Sequence, residues 1–226
     1  MSAMNPDINP DKSQEVMWQT VWSKTRGLLH QAALCAGPDP EQAACQLIDR
    51  LAPHLAPAQR EHVVEHGRLV AEAAERIGRR LRLSAERLAG LRLAGLLHDI
   101  GKCAMPEAIL AAARPLTPDE REIIDTHAAI GAAVAARLGA PRAVQEAIRD
   151  HHTTYGDAGI TWARPGVIAR ILAVADALVA MTSARPYAPS RPTAEAMLEL
   201  RDAAGGQFDP IVVQAVVAMP PVTLAA

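Results

Sequence analysis

The sequence predicts an all-α fold, and three observations carry that expectation. Apolar residues recur at helical spacing along most of the chain, and no segment keeps the period-2 alternation of a half-buried strand. Hydrophobic residues make up 50% of the 226 residues but aromatics only 3%. Alanine and leucine therefore fill much of the interior, a composition that suits close helix packing better than a sheet. The punctuation is helical as well. Thr117-Pro118-Asp119-Glu120 sets an N-cap, a first-turn proline and an N3 glutamate in capping-box order, and Asp209-Pro210 repeats the cap-then-proline start.

The elements follow in chain order. Residues 1–12 read as a loose polar lead. A helix is expected from Ser13 to Ala36, stopped by Gly37-Pro38. Trp18 and Trp22 lie one turn apart on it, and packing against the main body is a more economical reading than a ligand or partner surface. A second helix fits 40–52 and is closed by Pro53 and Pro57. That places a boundary between an N-terminal helical extension, 1–57, of unassigned role and a main domain, 58–226. Helical patterns then cover 58–80, 84–98, 106–113, 117–138, 141–151, 165–183, 193–203 and 209–218, with Gly205-Gly206 separating the last two. The stretch 152–166 is the one long irregular segment of the main domain, and such loops are often functional.

Charge and composition exclude several function classes. The formal net charge is −2, so no basic surface points to a nucleic-acid polymer or an anionic membrane. Among 23 basic residues the lysines are Lys12, Lys24 and Lys102, which singles out each of them. Cys35, Cys45 and Cys103 form no CxxC pair, as expected in a reducing compartment. The N-terminus has no apolar signal-like core and no apolar run is long enough to span a bilayer, so the expected location is the cytoplasm.

The informative residues are histidines and aspartates on apolar helix faces. His66 shares a stripe with Val63, Val70, Ala73 and Ile77; His98 with Leu88, Leu91 and Gly95, followed by Asp99. His127 aligns with Ile123, Ile130 and Val134, and His151-His152 end the helix containing Val144 and Ile148. Asp176 sits on the face of Ile168 and Leu172. One such histidine is ordinarily a satisfied core residue. A carboxylate in an apolar run is costly unless paired or metal-bound. Five histidines and two aspartates would each need a separate explanation, whereas one shared metal centre accounts for them together. Imidazole suits Fe, Mn, Co, Ni and Zn, carboxylate can bridge two cations, and the absence of cysteine argues against a structural zinc site.

His98-Asp99-Ile100-Gly101-Lys102, with its surroundings, resembles the HD superfamily of metal-dependent phosphohydrolases, and within it the HD-GYP subfamily of cyclic-di-GMP phosphodiesterases. The resemblance covers about residues 62–218. It includes His66-Gly-Arg-Leu-Val, Pro106-Glu-Ala-Ile-Leu, Leu116-Thr-Pro-Asp-Glu, His127-Ala-Ala-Ile-Gly131, His151-His152 and Ala169-Arg-Ile-Leu-Ala-Val-Ala-Asp176. Thr182-Ser-Ala-Arg-Pro-Tyr187 and Gly206-Gln-Phe-Asp-Pro210 are similar to its C-terminal signatures. The resemblance implies an HD-domain helical bundle around a dinuclear site. It implies metal ligation by His66, His98, Asp99, His127, His151, His152 and Asp176, with Asp99 bridging two divalent transition-metal ions, Fe or Mn. It further implies a catalytic role for Asp99, contact of Lys102 with the scissile phosphate, and a substrate-phosphate grip by Arg185. The implied reaction is hydrolysis of a cyclic dinucleotide, foremost cyclic-di-GMP, or a related phosphodiester through a metal-activated water. The competing readings are a nucleotide or metal sensor module, with a regulatory protein partner, and a di-iron oxygenase. The chain departs from the subfamily pattern in four places: Thr153 stands where it has Glu, the GYP tripeptide is missing, the loop to Asp176 is shorter, and Ala188 replaces a basic residue. His62 lies one turn before His66, where some three-metal members carry Glu. It could hold a third metal, against the plainer reading of a solvent-facing histidine.

Overall fold

The computed structural model describes residues 10–156, 165–183 and 190–219, with side chains from Gln14 onward. The described residues are helical and contain no strand beyond an isolated bridge between Ala204 and Phe208. The N-terminal helices are α1 (Pro10–Cys35) and α2 (Pro40–Leu51), the latter capped by Asp39 accepting from the backbone of Glu41 and Gln42. A single turn, α3 (Pro57–Arg60), runs into a π-helical turn, Glu61–His66, and on into α4 (Gly67–Arg80). Then come α5 (Ala85–Leu97), a 3₁₀ turn (Ile100–Ala104), α6 (Glu107–Leu110), α7 (Pro118–Asp125), α8 (His127–Arg137) and α9 (Arg142–Asp150). The last three are α10 (Val167–Thr182), α11 (Thr193–Asp202) and α12 (Pro210–Val217).

Four elements differ from the sequence expectation. α1 begins at Pro10 rather than Ser13, which costs nothing because proline lacks only an N–H that a first helical turn leaves unpaired anyway. The 58–80 helix contains the π turn. The 106–113 segment shortens to one turn, with Pro115 barring helical backbone at Arg114 and the Arg114 guanidinium engaged by Glu120. The 117–138 helix divides at Thr126. There the Thr126 hydroxyl donates to Ile123 O (2.7 Å) and His127 Nδ1 to Ile124 O (2.5 Å), so two carbonyls of the last α7 turn are claimed by side chains.

α4 and α5 form an antiparallel hairpin, α10 packs across both, α9 packs against α5 and α10, and α8 packs against α9. Small residues let the hairpin close. A Cβ on Gly95 would stand 2.4 Å from Ala71 Cα, so α5 meets the α4 backbone directly. Val21, Leu28 and Ala32 of α1 join the same buried cluster as Leu91, Ile148 and Leu172. α1 also packs against the 3₁₀ turn that follows Asp99. The two tryptophans part company: Trp18 packs against the core, whereas Trp22 is 58% exposed, since four residues overshoot a helical turn and carry it off the buried face. Their rings still stack at 6.1 Å. No helix among the described residues is long and apolar enough to cross a membrane.

Candidate metal centre

Three of the histidines are built into the chain by one device. His98, His127 and His151 each sit just past the end of a helix, α5, α7 and α9 respectively, where the last carbonyls lack a partner. Each imidazole donates Nδ1–H to the carbonyl three residues back: Gly95 at 2.8 Å, Ile124 at 2.5 Å and Ile148 at 2.7 Å. That bond fixes the tautomer and leaves Nε2 as a bare lone pair. The consequence is visible in the buried groups without a partner, which include His98 Nε2, His151 Nε2 and Asp99 Oδ1. Buried polar atoms are normally paired. Here the three orphans belong to one constellation, as a cation site requires.

The other groups converge on it. His66 Nε2 lies 2.8 Å from Asp176 Oδ1, joining α10 to the end of the π turn across 110 residues. Asp99 is central: its Oδ1 is 3.4 Å from His127 Nε2 and its Oδ2 is 3.5 Å from His98 Nε2. His152 Nε2 stands 3.2 Å from His127 Nε2. Two sets with no common member, His66-His98-Asp99 and His127-His151-His152, each bring one ligand atom per residue within 4.8 Å of one another, and His98-His151-Asp176 overlaps both. The chain therefore bears His/Asp clusters suited to a binuclear metal site, with Asp99 within reach of both.

Electrostatics suit that use. Burial holds His98, His151 and His152 below the usual imidazole range and pushes His127 down to about 3, so these rings stay neutral, the form that ligates metal. Burial alone would raise Asp99, but the Lys102 ammonium 2.7 Å away outweighs it and keeps the carboxyl well below its ordinary range. The same balance lowers Asp176: burial raises it, and the hydrogen bond from His66 more than compensates. Asp176 is less enclosed than its apolar helix face suggests, with 22% of its side chain exposed.

All seven residues that the sequence singled out as ligands lie in this constellation. Lys102 is there too. Its Nζ is 2.7 Å from Asp99 Oδ2, and its side chain is 13% exposed. Arg185 and Ala188 lie outside the described residues, as do 157–164 of the irregular loop. His62 corrects one expectation. It does not face solvent: its side chain is 18% exposed and its Nδ1 lies 3.7 Å from Asp99 Oδ2 and 3.4 Å from Lys102 Nζ. The signal was its four-residue spacing from His66, which puts both on one helix face. Gln59 carried no such signal. It is buried, and its amide donates to Cys103 O at 3.1 Å and Met105 O at 3.0 Å, clamping the turn that carries Lys102. Beyond the double histidine, the backbone N–H groups of Tyr155 and Gly156 donate to Gln207 O and Gly206 O, at 3.0 and 2.6 Å, tying that segment to the α11–α12 turn.

A family model described as HD domain matches residues 50–212. A cyclic di-GMP phosphodiesterase from Thermotoga maritima is 33% identical over 62% of this chain and 40% of its own length. A 3'3'-cGAMP-specific phosphodiesterase from Vibrio cholerae is 31% identical over 64% of this chain and 34% of its own length. The chain thus spans well under half of these relatives. Among solved structures, an HDG"Y"P protein from Bdellovibrio bacteriovorus shares the fold, with a TM-score of 0.59 at 16% identity over 95% of this chain and 73% of that one.

Proposed function

The chain belongs to the HD-domain family, and from that premise we propose that it is a metal-dependent phosphodiesterase acting on a cyclic dinucleotide, foremost cyclic-di-GMP, or a related phosphodiester. The observation that carries the reading is the pair of separate three-donor sets with Asp99 reaching both, and Lys102 beside them. In this reading His66, His98, Asp99 and Asp176 would hold one ion, and Asp99 with His127, His151 and His152 would hold the other. The donor set, imidazole and carboxylate without thiolate, admits Fe or Mn, the ions that the family resemblance implies. The names of the two curated relatives support the substrate class.

When bound, two such cations would supply Lewis-acid activation of a water and neutralise charge on the phosphoryl oxygens. The chain's own contributions are distinct. The neutral imidazoles keep their lone pairs on the centre. Lys102 is a fixed ammonium at its edge, placed to stabilise charge that develops on a phosphate oxygen as the P–O bond to the ribose 3′-oxygen breaks. Arg185 is assigned to substrate phosphate by resemblance alone. A third ion at His62 is disfavoured, because the Lys102 ammonium already faces His62 Nδ1 at 3.4 Å and repels a cation there. Residues 58–226 form the phosphohydrolase unit in this reading, with 1–57 as an extension.

The test is anaerobic purification, metal analysis, and assay of cyclic dinucleotides with added Fe(II) or Mn(II). About two ions per chain and release of a linear dinucleotide are expected. Tight cyclic-dinucleotide binding without hydrolysis of any phosphodiester would replace the enzyme with a sensor, and oxygen consumption without hydrolysis would replace it with an oxygenase.

A further inference from the structure

Lys102 has two polar neighbours. Its Nζ donates to Asp99 Oδ2 at 2.7 Å and lies 3.4 Å from His62 Nδ1, which can accept from it when the ring proton is on Nε2. Asp99 Oδ2 is also the atom nearest His98 Nε2, at 3.5 Å, so the oxygen that the ammonium occupies is one that metal ligation needs. A lysine and a metal ion cannot share one carboxylate oxygen at close range, since like charges in a buried site repel strongly. Lys102 must therefore release Asp99 Oδ2 when that carboxylate serves as a ligand, and a half-buried ammonium that loses its acceptor bears part of a desolvation cost. His62 is the neighbouring group able to meet that cost. It lies on the π turn that also carries His66, with the two rings edge-to-face at 6.4 Å, and π turns recur at functional sites.

We propose that His62 is a positioning residue for Lys102: its Nδ1 accepts the ammonium that Asp99 gives up, which frees Asp99 for metal and holds Lys102 at the rim of the centre. The inference rests on the two-ion reading above. It requires His62 to be the Nε2–H tautomer, with Nδ1 bare toward Lys102. His62 acts through Lys102 and is not itself a metal ligand.

A double-mutant cycle tests this, read as Mn(II) affinity by titration of the metal-free full chain. His62→Ala should weaken Mn(II) binding about tenfold, the size expected for a lost hydrogen bond to a charged group, without lowering the final stoichiometry. In the Lys102→Ala background the same change should have no effect, because no ammonium needs a new acceptor. His62→Asn, whose amide oxygen falls near the position of Nδ1, should restore most of the affinity, with unchanged far-UV circular dichroism in every variant. A His62→Ala loss that persists in the Lys102→Ala background would make His62 a ligand and overturn the proposal. So would no loss in either background. A wild type that binds no Mn(II) would sink the two-ion reading itself, whereas one that binds Mn(II) but hydrolyses nothing would sink the enzyme and leave this inference standing.

Discussion

Replacing single side chains separates the parts of the centre. Asp99→Ala removes the carboxylate that lies 3.4 Å from His127 and 3.5 Å from His98, and metal analysis should show at least one ion lost per chain. Lys102→Ala removes only the ammonium. It should keep the metal and lower kcat and kcat/KM together, as expected of a group acting on charge that appears in the transition state. Unchanged kcat with a raised KM would reduce Lys102 to a ground-state contact. The cysteines offer an independent check on burial near the site. Burial pushes the Cys103 thiol up to about 12, so it carries almost no thiolate at pH 8. Mass spectrometry after iodoacetamide treatment of the native protein should find Cys103 unmodified, and rapid alkylation there would contradict the packing of the 100–105 turn.

The helices place these groups through close contact as much as through hydrogen bonds. At Gly95, an added methyl would lie 2.4 Å from Ala71 Cα and 2.6 Å from Ala71 N, both backbone atoms that cannot swing aside. Gly95→Ala should therefore force α4 and α5 apart. The expected loss is at least the roughly 1–3 kcal/mol typical of overpacking, seen as a lower urea midpoint with an unaltered slope. The same substitution should also weaken metal binding, because Gly95 O is the acceptor that orients His98 at 2.8 Å. A Gly95→Ala protein of wild-type stability would show that the hairpin is looser than described. Gly101 does the same work at the next junction, where a Cβ would fall 2.1 Å from His127 O; the turn bearing Lys102 is thus pressed against the start of α8.

Across the molecule, the centre joins segments that are distant in sequence, so it should contribute to the stability of the whole. The π turn, α5, α8, α9 and α10 all meet there. Metal that binds the folded chain stabilises it by mass action, about 2.7 kcal/mol at a free concentration one hundred times Kd. For a chain of this length that corresponds to roughly 5–10 °C in Tm. Chelation should lower the wild-type Tm by about that amount, read by differential scanning fluorimetry or circular dichroism. An Asp176→Leu variant, missing the carboxylate that meets His66, should respond less to the same chelator. Equal responses would place Asp176 outside the ions' coordination.

How much of this was legible beforehand follows from the range of each interaction. Helical periodicity is local, so the residue pattern was enough to tell that the chain is helical, which faces are apolar, and that His66, His98, Asp99, His127, His151, His152 and Asp176 stand on those faces. It also showed where α7 and α12 begin, because a capping box or an Asp-Pro start is written within four residues. What each group meets depends on the packing of the helices. His66 and Asp176 are 110 residues apart, Gln59 and Met105 are 46, and Lys102 and His62 are 40. No local pattern encodes such distances, because they depend on which helices pack and how closely. The π turn at 61–66 is likewise absent from the periodicity, and at Thr126 side chains that claim two carbonyls interrupt an otherwise unbroken helical pattern. The reading of His62 as solvent-facing fails for this reason: its spacing from His66 is in the sequence, but the lysine and aspartate beside it are brought there only by the fold.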